Sequence, residues 1–247
     1  MILFVSGNDT GIGKTFVSSL LLRSLAKKYI KVAYIKPIES GVLNVSSSDL
    51  SIVKNFNSST DNIDFFQFNV FKEPVDPFTA GLLEKKPIKP LEIIKKIKLL
   101  EKKYDLLLIE GAGGLMVPIA KNFEIIDLIQ SLKAKVILVA TPFLGTLNHT
   151  FMSHEALTSR KIIFEGVILN FYPKRPNISE IHNPILINKR KIKILGVVPL
   201  ISKNILKSGN FQLKSFFSPS LGGNFSQVDF LKKCKNKFKI LLRKYAN

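Results

Sequence analysis

Almost unbroken apolar runs recur along the chain at residues 2–6, 32–35, 106–109, 136–140, 166–169 and 194–198. None alternates apolar with polar, so each reads as a strand buried on both faces of a parallel sheet. Between the runs, apolar residues return at helical spacing. Residues 14–28 carry Val17, Leu20, Leu21 and Leu25 on one stripe. Residues 90–103 carry Leu91, Ile94, Ile97 and Leu100, and residues 125–132 have a similar period. Strand–helix alternation predicts an α/β fold, a doubly wound, mostly parallel sheet with helices on both faces.

Two stretches give a weak signal. Residues 41–80 are polar, with Ser46-Ser47-Ser48 and Ser58-Ser59, and residues 202–225 are rich in Ser, Gly, Asn and Phe. Beyond them Ser226 is a plausible helix cap, with Asp229 three residues on. Leu231, Cys234, Phe238, Leu241, Leu242 and Tyr245 then form one stripe with lysines opposite. There is no internal repeat and no linker. The expectation is one domain over residues 1–247, with 202–247 a basic C-terminal extension ending in an amphipathic helix.

Composition narrows the classes. An apolar content of 46% in 247 residues excludes global disorder. A single cysteine excludes a disulfide framework or a cysteine-built metal site. His149, His154 and His182 lack the spacing of a zinc site. No apolar run reaches the roughly 20 residues that span a bilayer, and residues 1–5 lack the basic start of a secretory leader. The expectation is a cytoplasmic protein. The balance of 37 Lys+Arg against 18 Asp+Glu, a net +19, raises a nucleic-acid or anionic-membrane partner. The excess is mostly lysine, beside abundant Asn, Ile and Phe, which equally fits a compositional bias.

Candidate chemistry begins at Gly7-Asn8-Asp9-Thr10-Gly11-Ile12-Gly13-Lys14-Thr15, between the first strand and the first helix. Glycines there let backbone N–H groups turn toward phosphate, and the helix N-terminus adds its dipole. Lys14 can reach the β- and γ-phosphates, and the Thr15 hydroxyl can ligate Mg²⁺. This is a P-loop NTPase signature with one residue more than the usual spacing. At the end of the 106–109 strand, Glu110 faces the ligand crevice of an open sheet and is placed to reach Mg²⁺. Gly111, Ala112, Gly113 and Gly114 behind it permit close backbone approach. Lys36, at the end of the second strand, could stabilise charge on a transferring phosphoryl group or a carboxylated amine. Asp49, taken alone, reads as a helix cap, and Asn170 as a turn residue.

Together these pieces resemble the dethiobiotin synthetases. The loop with its Asp9-Thr10, then Lys36-Pro37-Ile38-Glu39-Ser40-Gly41, then Glu110-Gly111-Ala112-Gly113-Gly114 with Pro118, occur in the order of that family. So do Leu144-Gly145-Thr146-Leu147-Asn148-His149, residues 166–170 and residues 195–199. The resemblance covers residues 2 to about 201.

It implies that Gly11, Ile12, Gly13, Lys14, Thr15 and Phe16 bind the ATP phosphates, with Gly111, Ala112 and Gly113 beside them. Thr15, Asp49 and Glu110 would hold Mg²⁺, Lys36 would be the catalytic lysine, and Ser40 would contact substrate. Asn170 would read the adenine edge, with Phe171, Pro199, Leu200 and Ile201 alongside. Gly145, Thr146 and Asn148 would hold the substrate carboxylate at a helix N-terminus across a homodimer interface. The implied reaction joins CO₂ to 7,8-diaminononanoate through a carbamate. ATP phosphorylates the carbamate, and ring closure gives a cyclic urea with release of ADP and phosphate.

The implied partners are ATP, the diamine and CO₂ or bicarbonate, with no nucleic acid and no membrane. A rival class is the partitioning and septum-positioning ATPases, which share this loop and bind DNA or membranes. They carry a lysine five residues before the loop lysine, where this chain has Asp9. Amide-forming synthetases of the cobyrinate type use a nucleophilic cysteine, which Cys234 on a helix stripe does not suit.

Overall fold

The computed structural model describes residues 1–201 and 215–245. Its strands are β1 (Ile2–Gly7), β2 (Val32–Glu39), β3 (Ile63–Val70), β4 (Leu106–Gly114), β5 (Pro118–Ala120), β6 (Phe123–Glu124), β7 (Lys135–Ala140), β8 (Phe164–Tyr172) and β9 (Ile194–Pro199). Its helices are α1 (Lys14–Leu25), α2 (Asp49–Phe56), α3 (Pro77–Leu83), α4 (Pro90–Glu101), α5 (Ile125–Leu132), α6 (Thr146–Ser159), α7 (Ile178–Lys189) and α8 (Gln227–Tyr245).

Seven strands form a parallel sheet in the order β3-β2-β4-β1-β7-β8-β9, and β5 and β6 make a small antiparallel pair. Successive residues of each central strand serve opposite layers. Leu106 and Leu108 pack with Val17, Leu20, Leu21 and Leu25 of α1. Leu107 and Ile109 pack with Ile93 and Ile97 of α4 and with Ile126 and Ile129 of α5. A third cluster joins Leu138, Ala140, Val167 and Leu169 to Ile181 and Ile185 of α7 and to Leu231 and Cys234 of α8. The doubly wound reading holds, and the six apolar runs are the six inner or flanking strands.

The weak stretch 41–80 contains α2, β3 and most of α3. β3 is an edge strand whose middle residues are half-exposed, so Ile-Asp-Phe-Phe-Gln-Phe-Asn-Val has no continuous apolar run. α6 buries only Thr146, Thr150 and Leu157, and α7 carries Pro184 in its interior, so neither shows a clean stripe. In α4 the buried residues are Ile93 and Ile97, while Leu91 is exposed. α1 ends at Leu25 rather than Lys28. Of the C-terminal stripe, Leu231 and Cys234 are buried and Leu242 is exposed. The Tyr245 side chain and residues 202–214 lie outside the described part. Ser226 caps α8 as read, its Oγ accepting the Asp229 N–H at 3.2 Å.

One departure from sheet regularity makes the crevice. β2 pairs with β4 only from Val32↔Leu106 to Ile35↔Ile109. Pro37 cannot donate to a ladder. Here it falls past the last β2–β4 pair, and its carbonyl accepts from Asn69 Nδ2 on the β3 side at 3.2 Å. β2 and β4 therefore separate where Lys36 and Glu110 sit.

Ahead of α8, Phe217 bridges antiparallel to Gly196 of β9, and Phe216, Phe217 and Leu221 enter the α1-side core. A Cβ at Gly196 would collide with the Phe216 carbonyl and lie 2.8 Å from the Phe217 ring. Gly196→Ala is therefore expected to cost about 1–3 kcal/mol in urea denaturation. An unchanged midpoint would show that residues 216–217 move away from β9 freely.

Candidate active site

The site grows from the turn between β1 and α1. Gly11 and Gly13 have φ of +73° and +81°, left-handed values that a side chain disfavours. Gly13 occupies the cap position of α1, so Lys14 and Thr15 open the helix. Asn170, at the end of β8 and fully buried, donates from Nδ2 to the Ile12 carbonyl at 2.8 Å. A Cβ on Gly13 would strike that amide and lie 2.9 Å from the Phe171 ring. The loop thus threads between its own helix and the tip of β8.

Thr15 Oγ1 lies 2.7 Å from Asp49 Oδ1 and 2.9 Å from Glu110 Oε1. Lys36 Nζ lies 2.5 Å from Asp49 Oδ2, 2.8 Å from Glu110 Oε1 and 3.4 Å from the Gly111 carbonyl. Lys36 is 3% exposed and Glu110 0%. Tyr34, buried beneath them, donates its hydroxyl to Glu110 Oε2 at 3.0 Å. β2, β4, α1 and α2 therefore converge on one cluster.

Its electrostatics follow from burial and pairing. Burial opposes the Lys36 charge, but Glu110 and Asp49 outweigh it and hold the ammonium above the ordinary lysine range. Burial also opposes the Asp49 charge, and Lys36 with the Thr15 hydrogen bond carries its carboxyl below 3.8. Lys14 is lowered by burial and then by the neighbouring Lys36 charge. The Tyr34 phenol is pushed well up by burial and by Glu110.

A cavity of about 360 Å³ opens onto this cluster. Of the residues picked from sequence, Gly11, Gly13, Lys14, Thr15, Lys36, Ser40, Asp49, Glu110, Ala112 and Gly113 line it, joined by Thr10 and Glu39. Ile12 is buried in the core, and the Phe16 ring packs edge-on against Phe56 at 6.3 Å, so their side chains face away. Gly111 backs the cavity through its carbonyl. Asn170 and Phe171 abut the loop from behind. Pro199 pairs with Tyr172, and the Leu200 N–H donates to the Tyr172 carbonyl, so residues 199–201 flank the β8 tip.

At the α6 end, Gly145 and Asn148 are exposed, whereas Thr146 is buried and accepts from Asn8 Nδ2 at 3.3 Å. Asn8 also donates to Thr150 Oγ1 at 3.1 Å, which fastens the α6 N-terminus to the loop. Asp49 is not the cap of α2. Ser48 is, accepting the Ser51 N–H, and Asp49 as the first helical residue turns its carboxylate to Thr15.

Sequence reading missed Tyr34, Glu39, Gln67 and Asn8. Tyr34 gave a faint sign, a polar tip inside an otherwise apolar strand. The others act only through neighbours distant in sequence.

Thr15, Asp49 and Glu110 offer one hydroxyl and two carboxylates. All are hard oxygen donors, the set that Mg²⁺ takes when phosphate and water complete its shell. No group of three or more His, Cys, Asp and Glu side chains fit for a metal occurs among the described residues. The chemistry of these donors suits Mg²⁺.

A strand–loop–helix phosphate cradle at the carboxyl edge of this sheet defines a P-loop nucleotide-binding protein. The family model described as an AAA domain matches residues 2–205. The chain is 37% identical to the ATP-dependent dethiobiotin synthetase BioD of Thermodesulfovibrio yellowstonii, covering 86% of this chain and 95% of that protein. It is 41% identical to the enzyme of the same name from Methanocaldococcus jannaschii, over 68% and 78% of the two chains. The chain belongs to the ATP-dependent dethiobiotin synthetase family. Solved structures that resemble it include a ParA family ATPase from Chlorobium tepidum, with TM-score 0.55, 17% identity and 94% and 95% coverage. The MinD cell division ATPase of Pyrococcus furiosus has TM-score 0.55, 18% identity and 97% and 98% coverage. At these identities the likeness is one of fold.

The Asp49 carboxyl, held below 3.8 in the folded chain, contributes stability above that unfolded value. The contribution is lost as pH falls through the lower folded value. Asp49→Asn is expected to flatten the acid limb of the stability curve below about pH 4, read from urea midpoints across pH. Parallel acid limbs for both proteins would rule out the ionic pairing.

Proposed function

We propose that the protein is a dethiobiotin synthetase that carboxylates 7,8-diaminononanoate with CO₂ and closes the cyclic urea at the expense of ATP. The observation that carries this is the buried Lys36 ammonium, held between Glu110 and Asp49 on the wall of a phosphate-loop cavity. Backbone N–H groups of Gly11, Gly13 and Lys14, with the Lys14 ammonium, are suited to the β- and γ-phosphates. The lowered Lys14 regains charge stabilisation when an anion sits beside it. When bound at Thr15, Asp49 and Glu110, Mg²⁺ would neutralise charge on the phosphates.

Lys36 stays protonated at neutral pH, so it acts as a fixed cation rather than a base. Its ammonium is suited to the carbamate oxygen and to negative charge that grows during phosphoryl transfer. The reaction calls for no covalent nucleophile. The amine attacks CO₂, the carbamate oxygen takes the γ-phosphoryl group, and the second amine displaces phosphate. What the protein contributes is positioning and charge.

A second cavity of about 540 Å³ adjoins the first at Thr10. Leu115, Met116, Val117, Met152 and Ala156 give it an apolar lining that suits the carbon chain of the diamine. The N-terminus of α6, with Gly145, Thr146 and Asn148, is suited to the carboxylate at the far end of that chain. The assembly proposed is a homodimer with this turn at the interface. Asn170 keeps a buried Oδ1 that no described group donates to, which fits a role toward the adenine amine. The C-terminal segment, with α8 packed on α7, is read as an extension of the same domain. No described helix is long and apolar enough to cross a membrane.

Purified protein is expected to release phosphate from Mg-ATP only when diaminononanoate and bicarbonate are both supplied. Full turnover without the diamine, or stimulation by DNA in its place, would sink this reading. Lys36→Ala is expected to lower dethiobiotin formation by about a hundredfold or more while ATP binding largely persists. Loss of nucleotide binding in a folded variant would make Lys36 a phosphate ligand instead.

A further inference from the structure

Glu39 lies at the last position of β2, nearly buried on the cavity wall, and none of the chemistry above uses it. Both of its oxygens are committed. Oε1 accepts the backbone N–H of Asp49 at 2.6 Å, and Oε2 accepts Nε2 of Gln67 on β3 at 2.6 Å. The Asp49 N–H belongs to the first turn of α2, where backbone donors have no partner within the helix. Ser48 satisfies the Ser51 N–H through its side chain, which leaves the Asp49 donor to Glu39. A carboxylate at a helix N-terminus is also favoured by the helix dipole.

We propose that Glu39 is a positioning residue. It anchors the first residue of α2 to the end of β2, and so fixes the Asp49 carboxylate against Thr15 and Lys36. The consequence is chemical as well as structural. Asp49 is on α2, whereas Glu110 and Lys36 are on the sheet, so Asp49 is the charged member of the cluster whose placement the sheet does not set directly. Glu39 supplies that link, and Gln67 holds Glu39 from the neighbouring strand. Outer partners that orient a metal-binding carboxylate typically change metal affinity by about 10–100-fold when lost. This inference rests on reading Thr15, Asp49 and Glu110 as the Mg²⁺ site.

The test measures binding of a fluorescent mant-ATP by the full-length chain, without metal and across a Mg²⁺ titration. In the wild type, Mg²⁺ is expected to tighten nucleotide binding. Glu39→Ala is expected to raise the Mg²⁺ concentration needed by about tenfold and to leave metal-free nucleotide binding unchanged. Glu39→Gln keeps an acceptor for the Asp49 N–H, and Gln67 can turn its own amide to match, so it is expected to stay within about threefold of wild type. Gln67→Leu frees one side of Glu39 and is expected to fall between the two, which gives a reading even where Glu39→Ala does not fold.

A wild-type protein indifferent to Mg²⁺ overturns the metal-site reading and this proposal with it. A Mg²⁺-dependent wild type with unchanged Gln67→Leu and Glu39→Ala overturns the positioning role alone. Glu39→Gln as impaired as Glu39→Ala would make the charge itself the requirement and would also overturn it.

Discussion

A buried ammonium between two carboxylates is the interaction on which the architecture of this chain turns. Taking Lys36 and Glu110 out of water costs several kcal/mol each unless partners are close and well aligned, while Asp49 beside them keeps partial contact with solvent. Here the partners come from β2, β4 and α2, with Thr15 of α1 and Tyr34 completing the hydrogen bonds. No single element can satisfy the cluster. Removing Lys36 would leave the fully buried Glu110 carboxylate without its cation, so the site constrains the fold as the fold constrains the site.

Space for that cluster exists because two adjacent strands part company. β2 and β4 are paired through Ile35 and Ile109 and then diverge, with Pro37 removing a ladder donor just beyond. The residues immediately past the last pair are Lys36 and Glu110. The same divergence leaves the carboxyl ends of β2 and β4 free to face the β1–α1 turn. The β1–α1 loop and the ion cluster thus line one cavity.

Much of this was legible in the sequence, and the limits are physical. Strands buried on both faces advertise themselves by composition, so β1, β2, β4, β7, β8 and β9 could be read directly. β3 could not, because an edge strand with Asp64, Gln67 and Asn69 lacks a continuous apolar run. α6 hid because its buried face is largely threonine. In the site, spacing sufficed for Lys14, Thr15, Lys36 and Glu110, whose roles follow from their position at strand or helix ends. Asp49 looked like a helix cap because a carboxylate after a serine run usually is one. That Ser48 takes the cap and frees Asp49 for Thr15 is a fact of three dimensions. Glu39 and Gln67 are ordinary polar residues in sequence, and their meaning lies in a hydrogen bond between β2 and the start of α2.

The strand order also governs how the chain must be assembled during synthesis. β1 precedes the other strands in sequence, yet its neighbours in the sheet are β4 and β7. Its register begins with Ile2 opposite Leu107, so a loop on the order of 100 residues must close before β1 gains its first partner. Until the ribosome has delivered β4, β2 and β3 are the only sheet neighbours available to each other, and the apolar β1 has both edges bare. Such a nascent chain exposes what chaperones recognise and what aggregates recruit. Its folding rate should be set by this one late, long-range pairing rather than by helix formation. The phosphate loop joins β1 to α1, so its shape depends on a strand whose first sheet partner lies about 100 residues further along.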